Sequence, residues 1–170
     1  MSTIEEKTKV IINCCTARRI KRELEKMIIS GICQVENISV LKNYTSDKEI
    51  EYHVSIFNNK DKRHYTFILH SYFPFRAPKL ILNSKPYSEY FRFKSESFKK
   101  LFNKYKGERC FCCETKLCDN TWGPHYLLSD IMDEVNNFHN ECREISNIIC
   151  AKVIQRKYLV QDINLLQWLV

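Results

Sequence analysis

The sequence predicts an α+β fold in one domain: a helix, a four-stranded antiparallel meander, then further helices. Three observations lead there. Apolar residues repeat with a helical period at the start, give way to short β-branched and aromatic runs parted by turn residues, and return to three-and-four spacing after residue 127. At 170 residues and 20.4 kDa the chain is long enough to bury a core without disulfide or metal staples. Its 44% hydrophobic and 28% charged residues, with just 3 Gly and 4 Pro, exclude collagenous, elastic and low-complexity chains. A single domain over 1–170 is expected, with its core at about 14–140 and a helical extension at about 141–170.

The elements follow in order. Between residues 14 and 30, Ile20, Leu24, Met27 and Ile28 form an apolar stripe, with Arg18, Arg19, Lys21, Arg22, Glu23 and Glu25 between them, and Gly31 ends the helix. Strands are expected around Val35, Ile38, Val40 and Leu41, at 50–57, at 65–69 and at 80–82, separated by turn-rich stretches at 43–48, 58–62 and 73–78. After Leu82 the regularity is lost in a long aromatic and lysine-rich insertion, helical from Ser95 to Tyr105. The cysteine-rich stretch 110–118 and a turn at 119–124 come next. Leu127, Leu128, Ile131, Met132, Val135 and Phe138 then mark a helix. Ile145 to Leu169 mark one or two more, lying on the sheet or on a partner.

The net charge of +7 and a pI near 8.9 favour acidic partners. The basic aromatic stretch 91–109 has the residues for phosphate contacts and base stacking, but such segments are usually amphipathic insertions whose aromatics pack, so nucleic acid is not expected as a partner. No apolar run approaches the roughly 20 residues that span a bilayer, and no membrane partner is expected either. Residues 1–9 are polar where a secretory leader would be apolar, so the expected location is intracellular, cytoplasmic or nuclear. In a reducing compartment the 9 cysteines serve metal binding, nucleophilic chemistry or packing, in place of a disulfide framework.

Three stretches, in this order, resemble the ubiquitin-conjugating enzymes. The first helix, Ala17-Arg18-Arg19-Ile20-Lys21-Arg22-Glu23-Leu24, is similar to the family's opening helix. The corner Phe73-Pro74-Phe75-Arg76-Ala77-Pro78-Lys79-Leu80 resembles its Tyr-Pro-Phe-Lys-Pro-Pro-Lys-Val signature. Trp122-Gly123-Pro124-His125-Tyr126-Leu127-Leu128-Ser129-Asp130-Ile131 resembles its Trp-Ser-Pro-Ala-Leu-Thr-Ile-Ser-Lys-Val stretch. Together they reach over most of 17–138. The sequence departs from the family pattern in lacking His-Pro-Asn, in a longer segment at 84–106, and in offering four cysteines where most members have one.

The resemblance implies a UBC-like fold and a transferase. It would accept ubiquitin or a ubiquitin-like protein from an activating enzyme as a cysteine thioester and pass it to lysine with a RING-type ligase, using no cofactor. Arg18, Arg19 and Arg22 would then meet the activating enzyme, and Phe75, Pro124 and His125 the ligase. A thiol near its ordinary pKa of about 8.5 supplies enough thiolate for thioester exchange without a Ser-His-type base. The second step needs a donor for the developing oxyanion, for which Asn103 and Asn120 are candidates.

The nucleophile is one of three. Cys113 gives the alignment Cys113-Glu114-Thr115-Lys116-Leu117 over the family's Cys-Leu-Asp-Ile-Leu, with one residue added before Trp122; Cys110 follows Gly107-Glu108-Arg109 as in Gly-Ser-Ile-Cys; Cys112 keeps an apolar residue in front. They rank in that order, and Cys118 lies too close to Trp122. Four thiolates at 110, 112, 113 and 118 also raise a structural zinc, but the spacing is poor for paired cysteines and there is no second Cys-x2-Cys pair, so no metal is assigned. Two alternatives remain: a non-catalytic module of the same fold that binds ubiquitin or a ligase, favoured by the missing His-Pro-Asn, and a zinc-stabilised interaction domain. The histidines at 53, 64, 70 and 139 are expected to make ordinary hydrogen bonds.

Overall fold

A computed structural model describes residues 15–42, 50–93, 95–108, 110 and 113–167, with side chains as far as 158. Cys112, Arg109 and Phe111 lie outside the described residues. The chain packs as two compact units, Met1–Arg92 with Cys110–Glu134, and Phe93–Arg109 with Val135–Val170. The secondary structure is α+β, with an N-terminal helix, an antiparallel sheet and C-terminal helices.

In the first unit, α1 (Cys15–Ile29) buries Ala17, Ile20, Leu24 and Met27 on one face. It stops at Gly31, whose φ of 69° only glycine adopts cheaply, while Ile32 N–H reaches back to the Met27 carbonyl at 3.0 Å. Glu23 departs from the expected pattern. Its place three residues after Ile20 puts it within the apolar stripe, and it is 5% exposed. Burial is tolerated because the carboxylate pairs with Arg19 and accepts the Leu128 N–H at 2.8 Å.

The sheet follows chain order, β1 (Cys33–Lys42), β2 (Ile50–Asn58), β3 (Arg63–His70), β4 (Lys79–Leu82) and β5 (Lys85–Pro86), all antiparallel. Alternate residues of β2 and β3 are buried and pair across the ladder as Tyr52 with Leu69, Val54 with Phe67 and Ile56 with Tyr65. Leu80 and Leu82 of β4 continue that face. Each fully buried side chain of this size contributes about 2–3 kcal/mol. β1 carries a bulge between Val35 and Asn37.

Four strands are expected from the sequence and the sheet has five. Asn83 and Ser84, with φ of 46° and 66°, form a two-residue turn of positive φ that returns the chain as β5. The run is too short and too polar for periodicity to reveal, and Pro86 is admissible there because β5 is the edge strand.

The second unit contains α2 (Glu96–Lys106), where Ser95 Oγ caps Phe98 N–H and Gly107 ends the helix. Its core is a cluster of Phe93, Phe98, Phe102 and Phe138, with ring centroids 5.2–6.4 Å apart. The aromatics of the insertion therefore pack. α3 (Leu128–Gln167) is one helix of 40 residues, where a break near 139–141 is expected from the sequence. His139-Asn140-Glu141 contains neither Gly nor Pro, so nothing there stops a helix already running. Residues 150–158 of α3 are exposed throughout. Among the described residues no helix is long and apolar enough to cross a membrane.

Candidate functional site

The corner between β3 and β4 is held from three sides, all within the first unit. Thr16 Oγ1 lies 2.7 Å from the Ser71 carbonyl and 2.9 Å from that of Phe73. Trp122 Nε1 donates to the Pro74 carbonyl at 2.6 Å, and Asp119 accepts the Ala77 N–H at 3.3 Å. Phe73 is buried next to Trp122, with ring centroids 6.1 Å apart, and the Phe73–Pro74 peptide is cis. Phe75 points the other way and is 80% exposed, with Tyr72 also exposed in the same turn.

The Trp turn brings Pro124 and His125 to the surface. A Cβ at Gly123 would come within 2.5 Å of the His125 ring, an exposed side chain that would have to turn aside. Arg19 Nη2 donates to the carbonyls of Pro124 and Tyr126 at 3.4 and 3.3 Å, while its Nε pairs with Glu23. Of the three arginines expected at an activating enzyme, Arg18 and Arg22 are exposed, whereas Arg19 is half-buried and spends its guanidinium on the chain itself.

Two parts of the cysteine segment differ: Cys110 and Cys113 at its start, and an anchored stretch after them. Cys110 and Cys113 are both exposed. The Cys110 carbonyl accepts from Cys113 N–H at 3.0 Å and Glu114 N–H at 2.8 Å, and Glu114 Oε1 returns an acceptor to Cys110 N–H at 3.2 Å. From Thr115 onward the chain is fastened to α3. The Thr115 hydroxyl and the Lys116 N–H both donate to the Glu134 carboxylate, the latter at 3.0 Å, and Lys116 Nζ reaches the Asp130 carbonyl at 3.3 Å. The start of α3 is satisfied in turn by Asp130, which accepts Leu127 N–H at 2.8 Å, and by Glu23.

A cleft of about 450 Å³ opens beside the anchored stretch, walled by Leu80, Tyr87, Phe91, Thr115, Leu117 and Cys118. Its size suits a small apolar group or an extended peptide segment. Cys118, excluded from the sequence-based candidates, is half-buried and lines it. Sequence reasoning also missed Glu134 and Glu23. The signal for Glu23 was its register with Ile20, Leu24 and Met27; nothing local distinguishes Glu134 from the other acids on α3.

The cysteines elsewhere differ in chemistry. Burial pushes the Cys33 thiol up to about 11, and burial with the nearby Glu141 carboxylate does the same for Cys142. Asn103 is half-buried on α2 in the second unit, where its carbonyl accepts the Gly107 N–H at 2.9 Å, and Asn120 is exposed in the first. Among the described residues no three of His, Cys, Asp and Glu are grouped to hold a metal ion. His53 and His64 face Glu51 and Glu36, at 3.5 and 3.0 Å. Comparison of the chain with protein-family models, with curated proteins and with solved structures gives no match.

Proposed function

We propose that this chain is a divergent ubiquitin-conjugating enzyme with a UBC-like fold, acting inside the cell. It carries ubiquitin or a ubiquitin-like protein on Cys113, Cys110 or Cys112 and transfers it to lysine with a RING-type ligase. The observation that supports this reading best is the exposure of Cys110 and Cys113 on a turn placed just ahead of Thr115 and Trp122, which are themselves tied to α3 and to the proline corner. A thiol there is open to a macromolecular thioester and is backed by a rigid frame. In the first step the thiolate attacks the thioester carbonyl of the modifier; a new C–S bond forms as the activating enzyme's sulfur leaves as thiolate. In the second, a neutral lysine amine displaces the sulfur here, which leaves as thiolate while the amine gives up a proton to water, and Asn120, in the same unit as Cys113, donates to the oxyanion, a contribution of about 3 kcal/mol in comparable sites. Arg18 and Arg22 offer the basic face for the activating enzyme, and Phe75, Pro124 and His125 the surface for the ligase.

The test is incubation with activating enzyme, ATP and ubiquitin. The expected result is a thiol-sensitive adduct on the chain, turned into a thiol-resistant oxyester by Ser at the acceptor position among C110S, C112S and C113S. Absence of any adduct while a control enzyme charges ends the catalytic reading. The missing His-Pro-Asn supports a second reading, a non-catalytic module, for which ubiquitin or a ligase domain would bind in titration without any adduct.

A further inference from the structure

The second unit holds most of the chain's excess positive charge. Phe93–Arg109 and Val135–Val170 include ten Lys and Arg against five Asp and Glu, so fewer than a third of the residues hold +5 of the net +7. On α2 the exposed basic residues are Lys99, Lys100 and Lys104, and on α3 they include Lys152, Arg156 and Lys157. Lys106 is paired with Glu144 at 2.5 Å, whereas among the described residues no ion pair engages the other six. The two helices meet at Tyr105. Its ring is 48% exposed, with the Lys104 and Lys152 ammonium groups 6.0 and 5.9 Å from the centroid. Lys100 lies one turn before Lys104 and Arg156 one turn after Lys152, so basic side chains extend from the ring along both helices. Nucleic acid is not expected from the sequence, on the ground that the aromatics of the insertion pack. Phe93, Phe98 and Phe102 do, but Tyr105 keeps half its surface in water.

We propose that this patch binds single-stranded nucleic acid, with a base stacked on Tyr105 and the flanking phosphates on Lys100, Lys104, Lys152 and Arg156. An exposed ring accepts any base, because every base has a π-face, and the cations beside it neutralise the backbone whatever the sequence. A phosphate brought to Lys104 or Lys152 replaces a weak cation–π contact by a charge-assisted hydrogen bond, so little is given up by the free protein. The geometry of α3 speaks against an anionic lipid surface. Ile154 follows Lys152 by two residues and so lies about 200° around the helix from it, and Tyr158 follows Ile154 on that far side, with Val153 between the two faces. A bilayer that took in Ile154 and Tyr158 would turn Lys152 away from its phosphates. The patch belongs to the second unit alone and goes beyond the conjugation reading, whose candidate cysteines lie in the first.

The test is fluorescence anisotropy of the full chain with a labelled oligouridylate of about 20 nucleotides, and with oligothymidylate of the same length to separate RNA from DNA, at several salt concentrations. Micromolar binding is expected at low salt. Four phosphate contacts on a single strand make the logarithm of affinity fall against that of salt with a slope of about −3. Tyr105→Ala is expected to weaken binding at least about fivefold, and Tyr105→Phe, which keeps the ring, to leave it unchanged. The double variant K104Q/K152Q is expected to reduce the slope by about 1.4. K26Q/K60Q removes the same charge from exposed positions of the first unit and is expected to leave the slope as it was. Thermal melting of each variant, followed by circular dichroism, separates lost binding from lost fold. Absence of oligonucleotide binding overturns the proposal. So does binding that Tyr105→Ala leaves intact, or that both double variants weaken alike, since net charge alone is then at work. A duplex bound as tightly as the single strand removes the stacking, and sedimentation with phosphatidylserine vesicles in place of oligonucleotide binding assigns the patch to lipid.

Discussion

The exposed Cys110 and Cys113, against the buried Cys33 and half-buried Cys142, place the same side chain in different settings. Cys33 begins a strand with 3% of its surface exposed, and burial holds its thiol near 11; Cys142 lies on α3, where burial and Glu141 do the same. Such a thiol is a small apolar filler. Cys110 and Cys113 are exposed, and they stand next to a stretch, Thr115 to Cys118, that is fastened to Glu134. The contrast shows how one residue type serves two ends in one chain: burial raises the thiols of Cys33 and Cys142, while Cys110 and Cys113, like Cys15 and Cys150, are exposed.

The sharpest way to break this contrast is chemical. At neutral pH a thiol raised from an ordinary 9.0 to about 11 carries roughly 100-fold less thiolate, before steric shielding is counted. Timed alkylation with iodoacetamide, read by peptide mass spectrometry, is expected to label the tryptic 110–116 peptide and the exposed Cys15 and Cys150 first. Cys33 and Cys142 should follow at least about 100-fold more slowly. Labelling of Cys33 as fast as that peptide in folded protein would remove the distinction.

A smaller effect tests what holds the turn. Glu134 accepts from the Thr115 hydroxyl and the Lys116 N–H, so Glu134→Ala leaves two donors to find water in a half-closed place, a loss of about 2 kcal/mol. Urea unfolding is expected to show that loss, and Cys118 alkylation to accelerate severalfold while Cys33 stays protected. If stability falls and Cys118 does not change, Glu134 serves the helix and not the cysteine segment.

How far the sequence made this visible depended on range. The first helix, the first four strands and the aromatic insertion announced themselves because their signals are local: apolar period, β-branched runs, and a Ser95 cap three residues before Phe98. The fifth strand was hidden because Asn83-Ser84 turns the chain with two positive-φ residues and no glycine. The unbroken α3 was hidden because its patterns before and after residue 140 differ in phase, which looks like two helices although no breaker lies between them. At the site, Phe75, Pro124 and His125 are exposed. The engagement of Arg19 could not be foreseen, since the carbonyls it meets are more than 100 residues away in sequence. Glu23 carried a local sign of burial in its register with Ile20, Leu24 and Met27, but its partner, the Leu128 N–H, lies far away in sequence.

The smallest effect is a pH dependence of stability. Cys33 and Cys142 are raised from an ordinary 9.0 to about 11. Between those values the unfolded chain releases thiol protons that the folded chain keeps, so the folded state binds more protons and stability falls as pH rises. Below about pH 9 both states hold the protons and the contribution is fully present; it is lost progressively as pH climbs toward 11. Lysines and tyrosines titrate in the same window, so the informative quantity is a difference between proteins. Wild type and the C33A/C142A variant should show parallel melting temperatures from pH 6.5 to 8.5. Above pH 9 wild type should fall more steeply, because the variant lacks the two thiols that burial raises. Curves that stay parallel to pH 10.5 would mean that these thiols ionise as readily folded as unfolded, and the division between packed and presented cysteines would then rest on access alone.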